Sequence, residues 1–316
     1  MDIEKVARVC ALLVLGCIVC SEEVIRQHVY DGSIYDTGSF NVSMFTINQR
    51  RLLPLRVFTP SSNGTFPLIV FHHGTFLKTR IYTGILTHIA SYGYVVVAPQ
   101  RSDSFWDTNA TRDIEDAARV IEWLLGNFAA FLPAGVSVNV GKLVNMGHSK
   151  GGKIAFALAL NIKANISVPF ATLVGLDPMD GTKLGQTQPR VLYDAPIVFQ
   201  YPSLIIGTGL SGACSPARYN HGGFFNQTRS MVVDLIPSEY GHMDFVDDLG
   251  TFDGQRVFLL ACKRKSPRKP MRDFTAGAVV AFLRAVLYNV TDAFVNIVRN
   301  PSSAPVLLQE PLVHIA

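Results

Sequence analysis

The sequence predicts an α/β protein, a mostly parallel central sheet with helices on both faces. Two observations carry that prediction. Short, wholly apolar runs such as Pro67–Phe71 (PLIVF) and Tyr94–Ala98 (YVVVA) have the composition of strands buried on both sides. Segments with apolar residues at helical spacing alternate with them, and that alternation lays helices over a parallel sheet. At 316 residues, 48% hydrophobic and 16% charged, the chain has ample length for a large core. A net charge of +4 is small for this length and gives no reason to expect nucleic acid as a partner.

The first stretch differs from the rest. Val9–Cys20 is a continuous apolar run, preceded by Lys5 and Arg8 and followed by Ser21-Glu22-Glu23. It is too short to span a bilayer comfortably and has the proportions of a signal-peptide core. Residues 1–20 are therefore read as a cleaved signal, with a signal anchor as the alternative, and 21–316 as a single domain. Asn41, Asn63, Asn109, Asn165, Asn226 and Asn289 each begin an N-x-Ser/Thr sequon. Of the five cysteines, Cys10, Cys17 and Cys20 would leave with the signal, so Cys214 and Cys262 would remain. In an oxidising compartment that pair reads as one disulfide, worth about 4 kcal/mol in the chain-entropy model; two buried thiols are the alternative. The secretory route (extracellular, vacuolar or endomembrane) follows, with the plastid as the other possibility.

The elements then follow in order. Leu53–Thr59 reads as a strand ending at Pro60, and Ser61–Phe66 as a turn before the strand Pro67–Phe71. Thr79–Tyr92 has helical spacing (Ile81, Ile85, Leu86, Ile89) and stops at Gly93. After the strand Tyr94–Ala98 and a polar loop, Thr111 caps a helix running to about Phe128. The apolar run Leu143–Met146 leads into Gly147-His148-Ser149-Lys150-Gly151, followed by a helix through Leu160. Phe170–Leu176, Ser203–Gly207 and Met231–Ile236 are further strands, and a helix over about Asp273–Tyr288 closes the domain.

Gly147–Gly151 is G-x-S-x-G between a strand and a helix, which is the setting that gives the pattern chemical meaning. A serine hydroxyl is a weak nucleophile and must be held in the open where a histidine can take its proton. A sharp strand-to-helix turn does this, and the helix N-terminus behind it aims N–H groups at developing negative charge. A chance glycine-serine turn is the plain alternative. The arrangement is the α/β-hydrolase layout, in which the acid and then the histidine follow the serine along the chain. His242 comes after the last strand, where the base belongs; His221 is the alternative, and His314 lies in the tail. Asp177 and Asp180 follow the strand Phe170–Leu176, whereas the next strand is followed by TGLSGACSP, which has no carboxylate. The acid is therefore Asp177, nearest the strand end, with Asp180 as turn former or ring support.

An oxyanion hole needs two backbone donors. The N–H of Lys150, directly after the nucleophile, is one, and the loop after Phe71 supplies the other at Thr75, with Phe76 next in line. His72 and His73 in an extended strand end point opposite ways, so a shared metal is not expected, and this chemistry needs no cofactor. Phe76, Leu77, Phe105, Trp106 and Phe224 fall in loops at the same end of the sheet and are candidates to line an apolar cleft, or else to pack as a cap. The basic run Lys263–Lys269 reads as a solvated loop, with contact to an anionic membrane as the alternative.

With these residues in place, the chain resembles the chlorophyllases, hydrolases of the phytyl ester of chlorophyll. Plant members carry GHSRGG, matched here by GHSKGG at 147–152, with Lys150 where they have arginine. Their DPVDG-like segment, whose first aspartate is the family's acid, is matched by DPMDG at 177–181. Their YGHMD, NHxxFFN and KPMR segments are matched at Tyr240–Asp248, Asn220–Asn226 and Lys269–Leu283. The resemblance runs from about Asn41 to Leu283 and implies chlorophyll as an apolar ester substrate. A broader lipid or polyester esterase, similar to platelet-activating-factor acetylhydrolases and cutinases, is the second reading. A catalytically silent binder of apolar ligands is the third, since hydrolase folds also host such functions.

Overall fold

In the strand Gly64–His72, Leu68 and Val70 belong to the core on one face of the sheet and Ile69 and Phe71 to the core on the other. A two-residue side-chain period forces this division, and with all four fully buried the strand must lie deep inside a covered sheet. The computed structural model describes residues 33–102, 109–250, 253 and 262–315. The leader read at 1–20 lies outside them, as do Phe105 and Trp106.

Among the described residues the main sheet has nine strands: β1 (Val42–Ile47), β2 (Leu55–Pro60), β3 (Gly64–His72), β4 (Val95–Pro99), β5 (Val136–His148), β6 (Thr172–Leu176), β9 (Ser203–Ile206), β10 (Val232–Leu235) and β11 (Leu312–His314). Their spatial order is β1-β2-β4-β3-β5-β6-β9-β10-β11. The six strands from β4 to β10 run parallel, and antiparallel β1, β2 and β11 form the edges. A two-stranded hairpin, β7 (Gly181–Thr182) and β8 (Gly185–Gln186), stands apart.

Helices α1 (Thr83–Ala90) and α5 (Arg268–Tyr288) cover one face, and α2 (Thr111–Asn127) and α3 (Lys150–Ala159) the other. Two shorter helices are α4 (His221–Gln227) and α6 (Asp292–Arg299). No helix among the described residues is long and apolar enough to cross a membrane.

Several boundaries differ from the sequence reading. The turn expected at Ser61–Phe66 holds only to Asn63, because Gly64–Phe66 already pair with Val136–Val138. The apolar run before the elbow is the last third of a longer strand whose first half is partly exposed, so apolar content alone hides it. β1 precedes the first strand read from the sequence, because an edge strand with one solvated side carries little apolar signal. Thr111 is the first helical residue rather than the cap; Asn109 Oδ1 accepts its N–H at 2.9 Å. The closing helix starts earlier, at Arg268.

Candidate active site

β5 ends at His148, and Ser149 follows with φ 58° and ψ −125°, left-handed backbone for a residue with a side chain. Such a conformation costs on the order of 1–3 kcal/mol and persists only where the surroundings hold it. Here the Ser149 N–H donates to the Leu176 carbonyl at 3.0 Å, and its own carbonyl accepts from Lys153 and Met179. A Cβ at Gly147 would collide with the Gly151 carbonyl, and one at Gly151 with the carbonyl of His72. The two glycines are thus what lets the elbow close against β3.

Three sheet ends bring the candidate triad together. His242 Nε2 lies 2.8 Å from Ser149 Oγ, and His242 Nδ1 lies 2.7 Å from Asp177 Oδ2. Asp177 is fully buried. Burial alone would push its carboxyl up, but the hydrogen bond and charge of His242, with His221 and Ser215 beyond, outweigh it and hold the group at about 2. Two hydroxyls complete its setting: Ser215 donates to Oδ2 at 2.8 Å and Thr208 at 3.0 Å. Both come from the loop after β9, the segment marked in the sequence only by its lack of carboxylates.

Asp180 is engaged elsewhere. Its carboxylate meets Lys153 Nζ at 2.9 Å, both side chains being fully buried, and accepts the N–H groups of Val191 and Leu192. It holds a buried ion pair and the following loop, a larger task than forming a turn. His221 is not free either: its Nδ1 lies 2.7 Å from Asp234 Oδ2. His314 sits on the edge strand β11.

Around the serine, the exit loop of β3 comes close: a Cβ on Gly74 would stand 3.1 Å from Ser149 Cβ. Thr75 follows, half-buried. Lys150 is the first residue of α3, directly after Ser149. Its side chain turns away to Asp113 Oδ2 at 2.8 Å. His72 and His73 are both buried and occupied in hydrogen bonds, His72 with Asn145 and His73 with the Gly74 carbonyl and the Arg101 N–H.

Two of the aromatic-cleft candidates are corrected. Phe224 is fully buried against Phe156, with ring centroids 4.6 Å apart, and Leu77 is packed in the core beneath the loop. Their positions in connecting segments suggested exposure, but both point inward. Phe76 is half-exposed, with φ 60°. The basic run is tied into ion pairs, Lys265 with Glu239, Arg268 with Asp244 and Lys269 with Asp273. Cys214 and Cys262 form a disulfide.

The family model for chlorophyllases matches residues 27–313, from before β1 into the edge strand β11. The chain belongs to the chlorophyllase family. Chlorophyllase-1 of Citrus sinensis, named as chloroplastic, is 39% identical over 268 residues, 81% of this chain and 79% of its own length. Chlorophyllase-1 of Arabidopsis thaliana is 37% identical over 272 residues, covering 81% and 82%. Chlorophyllase type 0 of Chenopodium album is 32% identical over 292 residues, covering 86% and 84%. This chlorophyllase-family chain thus has the α/β-hydrolase fold and, as its reaction class, carboxylic ester hydrolysis. Sequence reasoning passed over Tyr82, His148, Thr208 and Ser215, which surround the triad candidates; His148 adjoins Ser149 within the elbow motif, but no local spacing ties the other three to the site.

Proposed function

We propose that this chain cleaves the phytyl ester of chlorophyll to chlorophyllide and phytol, with Ser149 as nucleophile, His242 as general base and Asp177 as the orienting acid. The observation that carries the reading is the unbroken line from Asp177 Oδ2 through His242 to Ser149 Oγ, with both links within 2.8 Å. Family membership supplies the substrate class.

In this scheme His242 Nε2 takes the Ser149 proton as Oγ attacks the ester carbonyl. The oxyanion formed is held by the N–H groups of Lys150 and Thr75. Collapse breaks the bond to phytol, whose oxygen leaves with the proton from His242. Water, deprotonated by the same ring, then attacks the acyl-enzyme and releases chlorophyllide. Purified protein should convert chlorophyll to chlorophyllide, and Ser149→Ala should lower kcat by about 10⁴-fold or more. Activity on p-nitrophenyl esters with none on chlorophyll would point to the broader esterase instead.

We also propose entry by the secretory route. Support comes from the Cys214–Cys262 disulfide and from the six sequon asparagines, every one of which is exposed on the folded chain. Endoglycosidase treatment of protein from its native cells should increase its gel mobility; unchanged mobility would favour the plastid.

A further inference from the structure

His148, the residue before the nucleophile, is fully buried and makes two hydrogen bonds that fix where its proton sits. Its Nε2 lies 2.9 Å from the His242 carbonyl oxygen, which can only accept, so that nitrogen carries the ring proton. Burial, with the neighbouring His242 acting in the same direction, pushes the ring down to about 3, so it is neutral at working pH. Nδ1 is therefore bare and must accept, and the donor facing it at 2.7 Å is the hydroxyl of the buried Tyr82. The Tyr82 oxygen accepts in turn from the Gly74 N–H at 3.2 Å.

The result is a chain of one direction: Gly74 N–H to Tyr82, Tyr82 O–H to His148, His148 N–H to the His242 carbonyl. It joins three segments far apart in sequence, the exit loop of β3, the elbow and the loop that carries the base. We propose that Tyr82 and His148 are positioning residues for the reaction, a hydrogen-bonded relay that sets the spacing between the oxyanion loop and the general base.

Packing alone does not require these polar atoms. Tyr82 packs edge-on to Phe71 at 4.8 Å and His148 lies against Phe245 at 5.2 Å, contacts a phenylalanine at either position would largely keep. What the hydroxyl and the imidazole add is a fixed register between a main-chain donor on one side of Ser149 and a main-chain acceptor on the other. Misplacement by a fraction of an ångström at such a site lowers turnover with little effect on binding.

The relay rests on the triad reading, and the test separates the two. A fluorophosphonate would titrate Ser149 in the full chain, so that kcat is expressed per competent site for wild type, Tyr82→Phe, His148→Phe and His148→Gln. Tyr82→Phe should lower kcat about tenfold with KM unchanged and the acid limb of the pH–rate profile in place, because the relay ends on the carbonyl of His242 and not on its ring. His148→Phe should lose more, and His148→Gln, which keeps an N–H donor for that carbonyl, should recover part of the loss. Unchanged kcat per site in Tyr82→Phe, or a loss that lies wholly in KM, would overturn the relay while leaving the triad standing. A wild-type chain not labelled at Ser149 would remove the triad and the relay together. Should His148→Phe fold poorly, Tyr82→Phe carries the test, since it removes one oxygen and nothing else.

Discussion

Two aspartate–histidine pairs lie near one another at the C-terminal edge of the sheet, Asp177 with His242 and Asp234 with His221. Each has Nδ1 and Oδ2 2.7 Å apart, and the two imidazoles are almost equally buried, at 6% and 7% exposure. Neither distance nor burial tells them apart. The second face of each ring does. His242 Nε2 meets the hydroxyl of Ser149, whereas His221 packs its ring against Gly207 and faces the carbonyl of Thr208. An Asp–His pair is therefore a structural unit that recurs at β6 and β10, with β9 between them, and only the first has its other ring nitrogen on a serine hydroxyl.

The largest effect should come from breaking the first pair. Asp177→Asn keeps the shape but lets His242 adopt the wrong tautomer, and kcat should fall about 10⁴-fold in single-turnover or steady-state assays. Asp180→Asn is the control three residues away. It removes the partner of a fully buried lysine and should cost about 3–5 kcal/mol in denaturant unfolding, while kcat of the folded fraction stays within a few-fold. Equal loss of kcat in both variants would erase the distinction between them.

The second pair should show itself in stability. Burial alone would lower the His221 pKa, but the charge and hydrogen bond of Asp234, with Asp177 and the Thr208 carbonyl beyond, raise it to about 9. A histidine whose folded value lies above the unfolded 6.5 contributes stability that is whole below pH 6.5 and is lost as pH rises through about 9. Melting temperature should accordingly decline over that range in wild type. In His221→Gln the decline should flatten, with kcat at neutral pH changed by less than about tenfold. A kcat collapse equal to that of Asp177→Asn would make His221 part of the chemistry and dissolve the contrast.

How much of this was legible in the sequence follows from what each feature depends on. The elbow is local: a strand, two glycines and a helix within a few residues, so pattern reading reaches it. Asp177 as the aspartate that pairs with His242 was reachable by elimination, because the TGLSGACSP loop has no carboxylate to compete. The same argument passed over what that loop does contain, since Thr208 and Ser215 hold the acid from 31 and 38 residues away. Tyr82 and His148 were out of reach for the same reason, their bonds spanning 66 and 94 positions. Phe224 and Leu77 were read as lining a cleft or packing as a cap because residues in connections usually face outward; tertiary packing turned them inward. β1 was hidden because half of an edge strand is solvated.

One bond outside the cleft bears on both halves of it. Cys214 immediately precedes Ser215, which donates to Asp177, and Cys262 immediately precedes Lys263, whose carbonyl abuts Gly241 beside His242. The two flanks of the site are thus links of a single covalent ring, unable to drift apart independently. Whether that ring stays shut is decided by the thiols of the surrounding medium rather than by anything a substrate touches.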